Sequence, residues 1–157
     1  MDLIDYKILT CLKANARQKA SAISEQINLS VSSVIERIKK MEANGIIEDY
    51  TVILNNKALG NDVTALMEVS LEHPKYFEAF TQMVQNEASI ISCYYLTGEF
   101  DFVLKIITDS SDNLELIHRR IKSMEGVSAT KTHFVLKNIK NDYSSISLPE
   151  GNKILKK

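Results

Sequence analysis

The chain has 157 residues, 45% of them hydrophobic and 25% charged, with a formal net charge of −1. Those proportions are ordinary for a globular protein of one medium or two small domains. No apolar run approaches the ~20 residues of a membrane span, and the near-neutral total argues neither for nor against nucleic acid.

The distribution of charge says more. Residues 13–40 hold six basic side chains against two acidic ones, whereas residues 61–157 hold 11 basic and 13 acidic. A locally basic N-terminal part on a mildly acidic body fits a small anion-binding module on a neutral carrier. The start, Met1-Asp2-Leu3-Ile4-Asp5, is acidic and enters a helical pattern directly, unlike a signal peptide. A cytoplasmic location is therefore expected. Cys11 and Cys93 lie far apart in apolar patterns and are expected to be reduced packing residues.

A first helix is expected from Asp2 to Asn15, striped by Ile4, Ile8, Cys11 and Leu12, with Asp2 and Asp5 at its positive end. A short second helix, Ala20 to Ile27, turns inward Ile23 and Ile27. Asn28 follows, a residue that tolerates the left-handed conformation of a tight turn. Ser30 can cap a third helix, and Gly45 suits its stop. Val31, Val34, Ile35, Ile38 and Met41 form the expected buried stripe of that helix. Its outward face then carries Ser32, Ser33, Glu36, Arg37, Lys39 and Lys40. Helix, short helix, three-residue turn and amphipathic helix make a helix-turn-helix. Hydroxyls near the start and cations further along are what such a helix presents to a DNA major groove. Ser32, Ser33, Glu36 and Arg37 are the candidate base contacts, with Arg37 the first choice as a guanine reader or else paired with an acidic neighbour. Lys39, Lys40, Arg17 and Lys19 are the candidate phosphate contacts.

Residues 46–54 read as a β-branched strand, part of the linker or of a subunit contact, and the polar stretch 55–62 as a domain boundary. The remainder reads β-α-β-β-α-β. Val63, Ala65, Met67, Val69 and Leu71 alternate as a half-buried strand. Pro74 suits the first turn of a helix striped by Phe77, Phe80 and Val84. Strands follow at Ile90–Leu96 and Phe100–Ile107 around the turn Thr97-Gly98-Glu99. Asp109 to Asp112 offer caps for a helix bearing Leu114, Ile117, Ile121 and Met124, which Gly126 ends, and Val127–Ile139 is the last strand. This order is the ferredoxin-like split βαβ, so the fold class is α+β. One sheet face is left for solvent or a second subunit. The expected division is a DNA-binding domain at 1–45, a strand and linker at 46–61, a ferredoxin-like domain at 62–140 and a tail at 141–157, ending in the basic Lys153, Lys156 and Lys157.

Nothing in the pattern points to catalysis. His73, His118 and His133 are scattered without metal-ligand spacing, and there is neither a Gly-rich phosphate loop nor a nucleophile elbow. No cofactor and no metal are expected. Taken alone, Thr97-Gly98-Glu99-Phe100-Asp101 is a plain hairpin turn. It also holds what a free amino acid needs: carboxylates for an ammonium, and backbone N–H groups for a carboxylate.

The order and spacing of several pieces resemble the leucine-responsive/asparagine-synthetase-regulator family, the Lrp/AsnC or "feast or famine" transcription regulators. The pieces are Asp2-x-x-Asp5-x-x-Ile8-Leu9-x-x-Leu12, Arg17, Leu29-Ser30-x-x-x-Val34-x-x-Arg37-Ile38-x-x-Met41-Glu42-x-x-Gly45-Ile46-Ile47, Tyr50, Leu59-Gly60 and Thr97-Gly98-Glu99-Phe100-Asp101. The resemblance implies a ferredoxin-like effector domain behind the helix-turn-helix, dimerisation through the sheets, further assembly to octamers and a response to amino acids. It makes Thr97, Gly98, Glu99, Phe100 and Asp101 an amino-acid site at a dimer–dimer contact, with Thr130 and Thr132 as weaker candidates for a facing wall. Lys19, Val31 and Gln18 depart from residues usual in the family, so the second helix needs another cap, for which Ser21 is the candidate. Two rival readings share the fold: an architectural DNA binder without effector, and a tetrapyrrole decarboxylase-like enzyme using His133 and Lys131.

Overall fold

The structure, a computed structural model, describes residues 1–146. The basic stub at Lys153, Lys156 and Lys157 lies outside the described residues. The described residues divide into two compact units, one of Met1–Ile53 with residues 140–146, the other of Leu54–Ile139.

The first unit holds α1 (Leu3–Ala14), α2 (Ala20–Ile27) and α3 (Val31–Ala43). Asp2 caps α1 by accepting from the N–H groups of Ile4 and Asp5, while the Asp5 carboxylate accepts from the Asp2 N–H, a reciprocal capping box. Asn28 ends α2 at φ +53°, and Ser30 Oγ accepts from the Ser33 N–H at the start of α3. Lys19 occupies the cap position of α2 with no side-chain hydrogen bond. Ser21 does not supply the missing cap: its hydroxyl makes no hydrogen bond among the described residues, and its carbonyl accepts from Ser24 Oγ. Ile8, Ile23, Val34 and Met41 form the buried core of this unit.

Two expectations about this unit are corrected. Val31 and Ile35 are not buried but 41% and 42% exposed, because α1 and α2 cover a narrower arc of α3 than its apolar stripe spans. Residues 46–54 form no strand. Their β-branched composition favours extended backbone, but a strand exists only where a neighbour takes its hydrogen bonds. Val52 and Ile53 are each 71% exposed.

The second unit is built on an antiparallel sheet of order β2-β3-β1-β4, with β1 at Val63–Leu71, β2 at Ile90–Tyr95, β3 at Phe102–Thr108 and β4 at Val127–Phe134. Helices α4 (Phe77–Asn86) and α5 (Ser111–Lys122) complete the β-α-β-β-α-β order. Ala65, Met67 and Val69 of β1 and Phe102, Leu104 and Ile106 of β3 point to one face, where Phe80, Val84, Leu114, Ile117 and Ile121 of the helices close the core. The rings of Phe80 and Phe102 lie 4.7 Å apart. No element of this unit covers the other face, where Leu66 and Tyr94 are exposed. Pro74 opens a 3-10 turn, Pro74–Tyr76, that leads into α4. The last strand ends at Phe134 rather than Ile139; beyond the Val135 N–H, which donates to the Thr64 carbonyl, β1 offers no further partner.

Gly126 sits at φ +86°, and a Cβ there would overlap the Tyr76 ring. Gly45, at φ +67°, has open space around it. Gly45→Ala is expected to cost about 1–2 kcal/mol, the price of a left-handed alanine, and Gly126→Ala more, since Tyr76 must also move. The urea midpoints of the two variants check the order.

Candidate functional site

The outward face of α3 is built from its N-terminus. Ser30 Oγ lies 2.7 Å from Ser33 Oγ and 3.1 Å from Ser32 Oγ, so the cap and the first two hydroxyls form one cluster. Ser32, Glu36, Lys39 and Lys40 are exposed beyond it. Arg17 and Lys19, in the connection between α1 and α2, are exposed as well, and Asn15 Oδ1 holds the Arg17 N–H at 3.0 Å. The structure thus gathers the candidate cations and hydroxyls in one unit, on α3 and the α1–α2 connection.

Arg37 takes the paired alternative. Its Nη1 donates to Asp2 Oδ2 at 2.8 Å and to Asp5 Oδ1 at 2.7 Å, tying α3 to the first turn of α1. The pairing favours both charges: the Arg37 guanidinium is raised by Asp5 and then Asp2, and the Asp2 carboxyl is lowered by the Asp5 N–H and then by Arg37. The sequence placed Asp2 and Asp5 only at a helix end. Their spacing of three, one turn of helix facing a third element, was the available signal. After α3, Tyr50 OH donates to Glu42 Oε1 at 2.8 Å, and burial followed by that carboxylate pushes the phenol up to about 12.

The turn at 96–101 is tightly held. The Asp101 N–H donates to the Val69 carbonyl at 3.0 Å, and its carbonyl accepts from the Leu96 N–H at 2.7 Å. Its carboxylate Oδ2 accepts from the Leu71 N–H at 2.7 Å, beside the register shift between Ser70 and Leu71. Asp101 therefore anchors the turn to β1 with one oxygen. Ser70 Oγ adds a bond to the Glu99 carbonyl at 3.3 Å. Gly98, at φ +140° with nothing within 4 Å of a notional Cβ, leaves the main chain open to a ligand. Thr97 and Glu99 are exposed, and Phe100 is half-buried.

Thr130 and Thr132 are not brought to this turn. They sit on β4, across β1 from β3, paired with Val69 and Met67 on the helix-covered face. Thr130 Oγ1 lies 3.2 Å from His118 Nε2, and Thr132 Oγ1 is buried without a partner among the described residues. His133 Nε2 is 3.3 Å from Glu68 Oε2 on the uncovered face, and His73 Nδ1 accepts from the Lys75 N–H. Among the described residues no group of three or more His, Cys, Asp or Glu could hold a metal. No described helix is long and apolar enough to cross a membrane.

Comparison with known proteins finds relatives for both units. The family model of the Lrp/AsnC ligand binding domain matches residues 64–145, and that of a winged helix-turn-helix DNA-binding domain matches residues 1–48. The HTH-type transcriptional regulator FL11 of Pyrococcus abyssi is 35% identical over 89% of this chain and 92% of its own length. The leucine-responsive regulatory protein of Haemophilus influenzae is 30% identical over 89% of this chain and 86% of its own. A transcriptional regulator of Neisseria meningitidis, crystallised with L-methionine, superposes with a TM-score of 0.89 at 30% identity, over 93% of this chain and 96% of that one.

Asp2→Asn is expected to lower the thermal midpoint at pH 7 by a few degrees, because the charge facing Arg37 is lost. Asp2 titrates below its ordinary 3.8 in the folded chain, so its contribution is complete above that value and is lost as pH falls through the lowered one. The gap between variant and parent should accordingly close below pH 3.8. Thermal melts at pH 7 and pH 2.5 check both halves.

Proposed function

The chain belongs to the Lrp/AsnC family of transcriptional regulators, and we propose that it is a cytoplasmic, sequence-specific DNA-binding regulator whose assembly or DNA binding responds to an amino acid. The observation that carries the DNA reading is α3, capped by Ser30, clamped through Arg37, and presenting Ser32, Glu36, Lys39 and Lys40 outward. In this reading residues 1–45 are the DNA-binding domain, with Ser32, Ser33 and Glu36 at base edges. Arg17, Lys19, Lys39 and Lys40 lie at phosphates. Arg37 orients the helix, and its remaining N–H groups are directed to DNA.

Residues 62–140 are the effector and oligomerisation domain. The uncovered sheet face, with Leu66 and Tyr94 exposed, suits a second copy. A dimer would set two α3 helices in major-groove turns about 34–36 Å apart on a pseudo-palindromic site, and dimers would assemble further to octamers. The effector would bind at Thr97–Asp101, its ammonium facing the second oxygen of Asp101 and Glu99, its carboxylate facing the Gly98 main chain. The L-methionine in the Neisseria relative supports an amino acid. Such a ligand acts only by binding one assembly more tightly than another. The enzyme rival is disfavoured by Glu68 beside His133, since a carboxylate opposes a polyanionic macrocycle.

The test is fluorescence anisotropy on the protein's own upstream DNA and on a scrambled duplex, at two salt concentrations, with and without pooled amino acids. Tighter binding to the upstream duplex, weakening with salt, is expected. Lys39→Ala and Lys40→Ala should each weaken binding on all sequences and lower the salt slope by about one. Equal binding to both duplexes without an amino-acid effect would favour the architectural rival. Absence of binding to either would overturn the DNA reading.

A further inference from the structure

Val31 and Ile35 are two aliphatic side chains on the first turns of α3, spaced i and i+4 and each about two-fifths exposed. They were expected in the core, and the core closes without them around Val34 and Met41. They flank the face that bears Ser32, Glu36 and Lys39. Resting on the DNA reading above, we propose that Val31 and Ile35 read thymine methyl groups in the major groove, and so set a preference for A·T pairs under the N-terminal half of α3.

Three observations converge on this occupant. The N-terminal residues of such a helix are those that reach base edges, and Val31 is its first helical residue. The surface around the pair carries Lys39 and hydroxyls, which suit a polyanion with hydrogen-bonding edges and not an apolar protein groove. In the major groove the thymine C5-methyl is the one apolar group a base presents, and aliphatic side chains contact it. Arg37 strengthens the case by its position. Its Nη1 is shared between Asp2 and Asp5, so of its two donor forks only Nε with Nη2 is left for a guanine. Glu36, next to Ile35, can accept only from amino groups, those of adenine N6 or cytosine N4. It therefore selects which base of a pair lies beneath it, and the choice between A·T and G·C rests on the methyl contacts.

The test uses the full chain and a duplex selected with it from a random pool. Each thymine of that duplex is replaced singly by deoxyuridine, which removes only the methyl group. Anisotropy should show one or two thymines per half-site whose replacement weakens wild-type binding about fourfold, the factor for one apolar carbon left unburied. Ile35→Ala should become indifferent at one such position and Val31→Ala at another. Because the deoxyuridine series is read with the wild-type chain, it does not depend on the variants folding. Specific binding that is indifferent to every deoxyuridine overturns this proposal and leaves the DNA reading standing. The same indifference with Ile35→Ala shifting the sedimentation coefficient assigns the pair to a contact between copies, which also overturns it. If the selection recovers no preferred duplex, the sequence-specific reading fails, and this proposal with it.

Discussion

One guanidinium nitrogen shared between two carboxylates decides how the first unit can work. Arg37 Nη1 reaches Asp2 and Asp5, and Asp2 is at the same time the cap of α1. The same carboxylate therefore starts one helix and positions another. An isolated surface ion pair contributes little. This one is a three-member network whose acids are already ordered by a capping box, so little side-chain freedom remains to be lost when it forms. Four buried side chains, Ile8, Ile23, Val34 and Met41, hold the three helices together. The charged link adds what dispersion lacks, a directional constraint on the rotation of α3 about its axis.

That constraint has a consequence for chemistry. An arginine on the outward side of a helix that enters the major groove is the residue best suited to guanine. Here Nη1 of that arginine is committed to Asp2 and Asp5, and the neighbouring outward surface carries shorter groups: hydroxyls clustered at Ser30, Ser32 and Ser33, a carboxylate at Glu36, and the exposed aliphatics.

The second unit follows a parallel logic with different atoms. Its sheet buries one face against α4 and α5 and leaves the other uncovered within the unit. At the sheet end Asp101 extends the β1–β3 ladder past the last backbone pair, its carboxylate taking the Leu71 N–H where the strand register shifts. A turn held by its own carboxylate keeps its main chain rigid and accessible at Gly98.

Much of this was legible in the residues. The bounds of α2, the cap Ser30, the left-handed Asn28 and the alternation of β1 are written in periods of 3.6 and 2 and in single residues at their ends. The βαββαβ order followed from them. All these depend on residues close in the chain, where local sterics and backbone satisfaction decide. Other features waited for the tertiary structure. Residues 46–54 have a strand's composition and no strand's partner. Val31 and Ile35 have core chemistry on an arc of α3 that stays two-fifths exposed. Arg37 found its acids 32 and 35 positions away, and Asp101 found its donor 30 positions away. The sequence by itself determined the elements, their order and the chemical character of each face. Only the tertiary structure decided which face is covered and which charge is spent, because burial and hydrogen-bond partnership belong to pairs of surfaces, and a single stretch of chain encodes just one member of each pair.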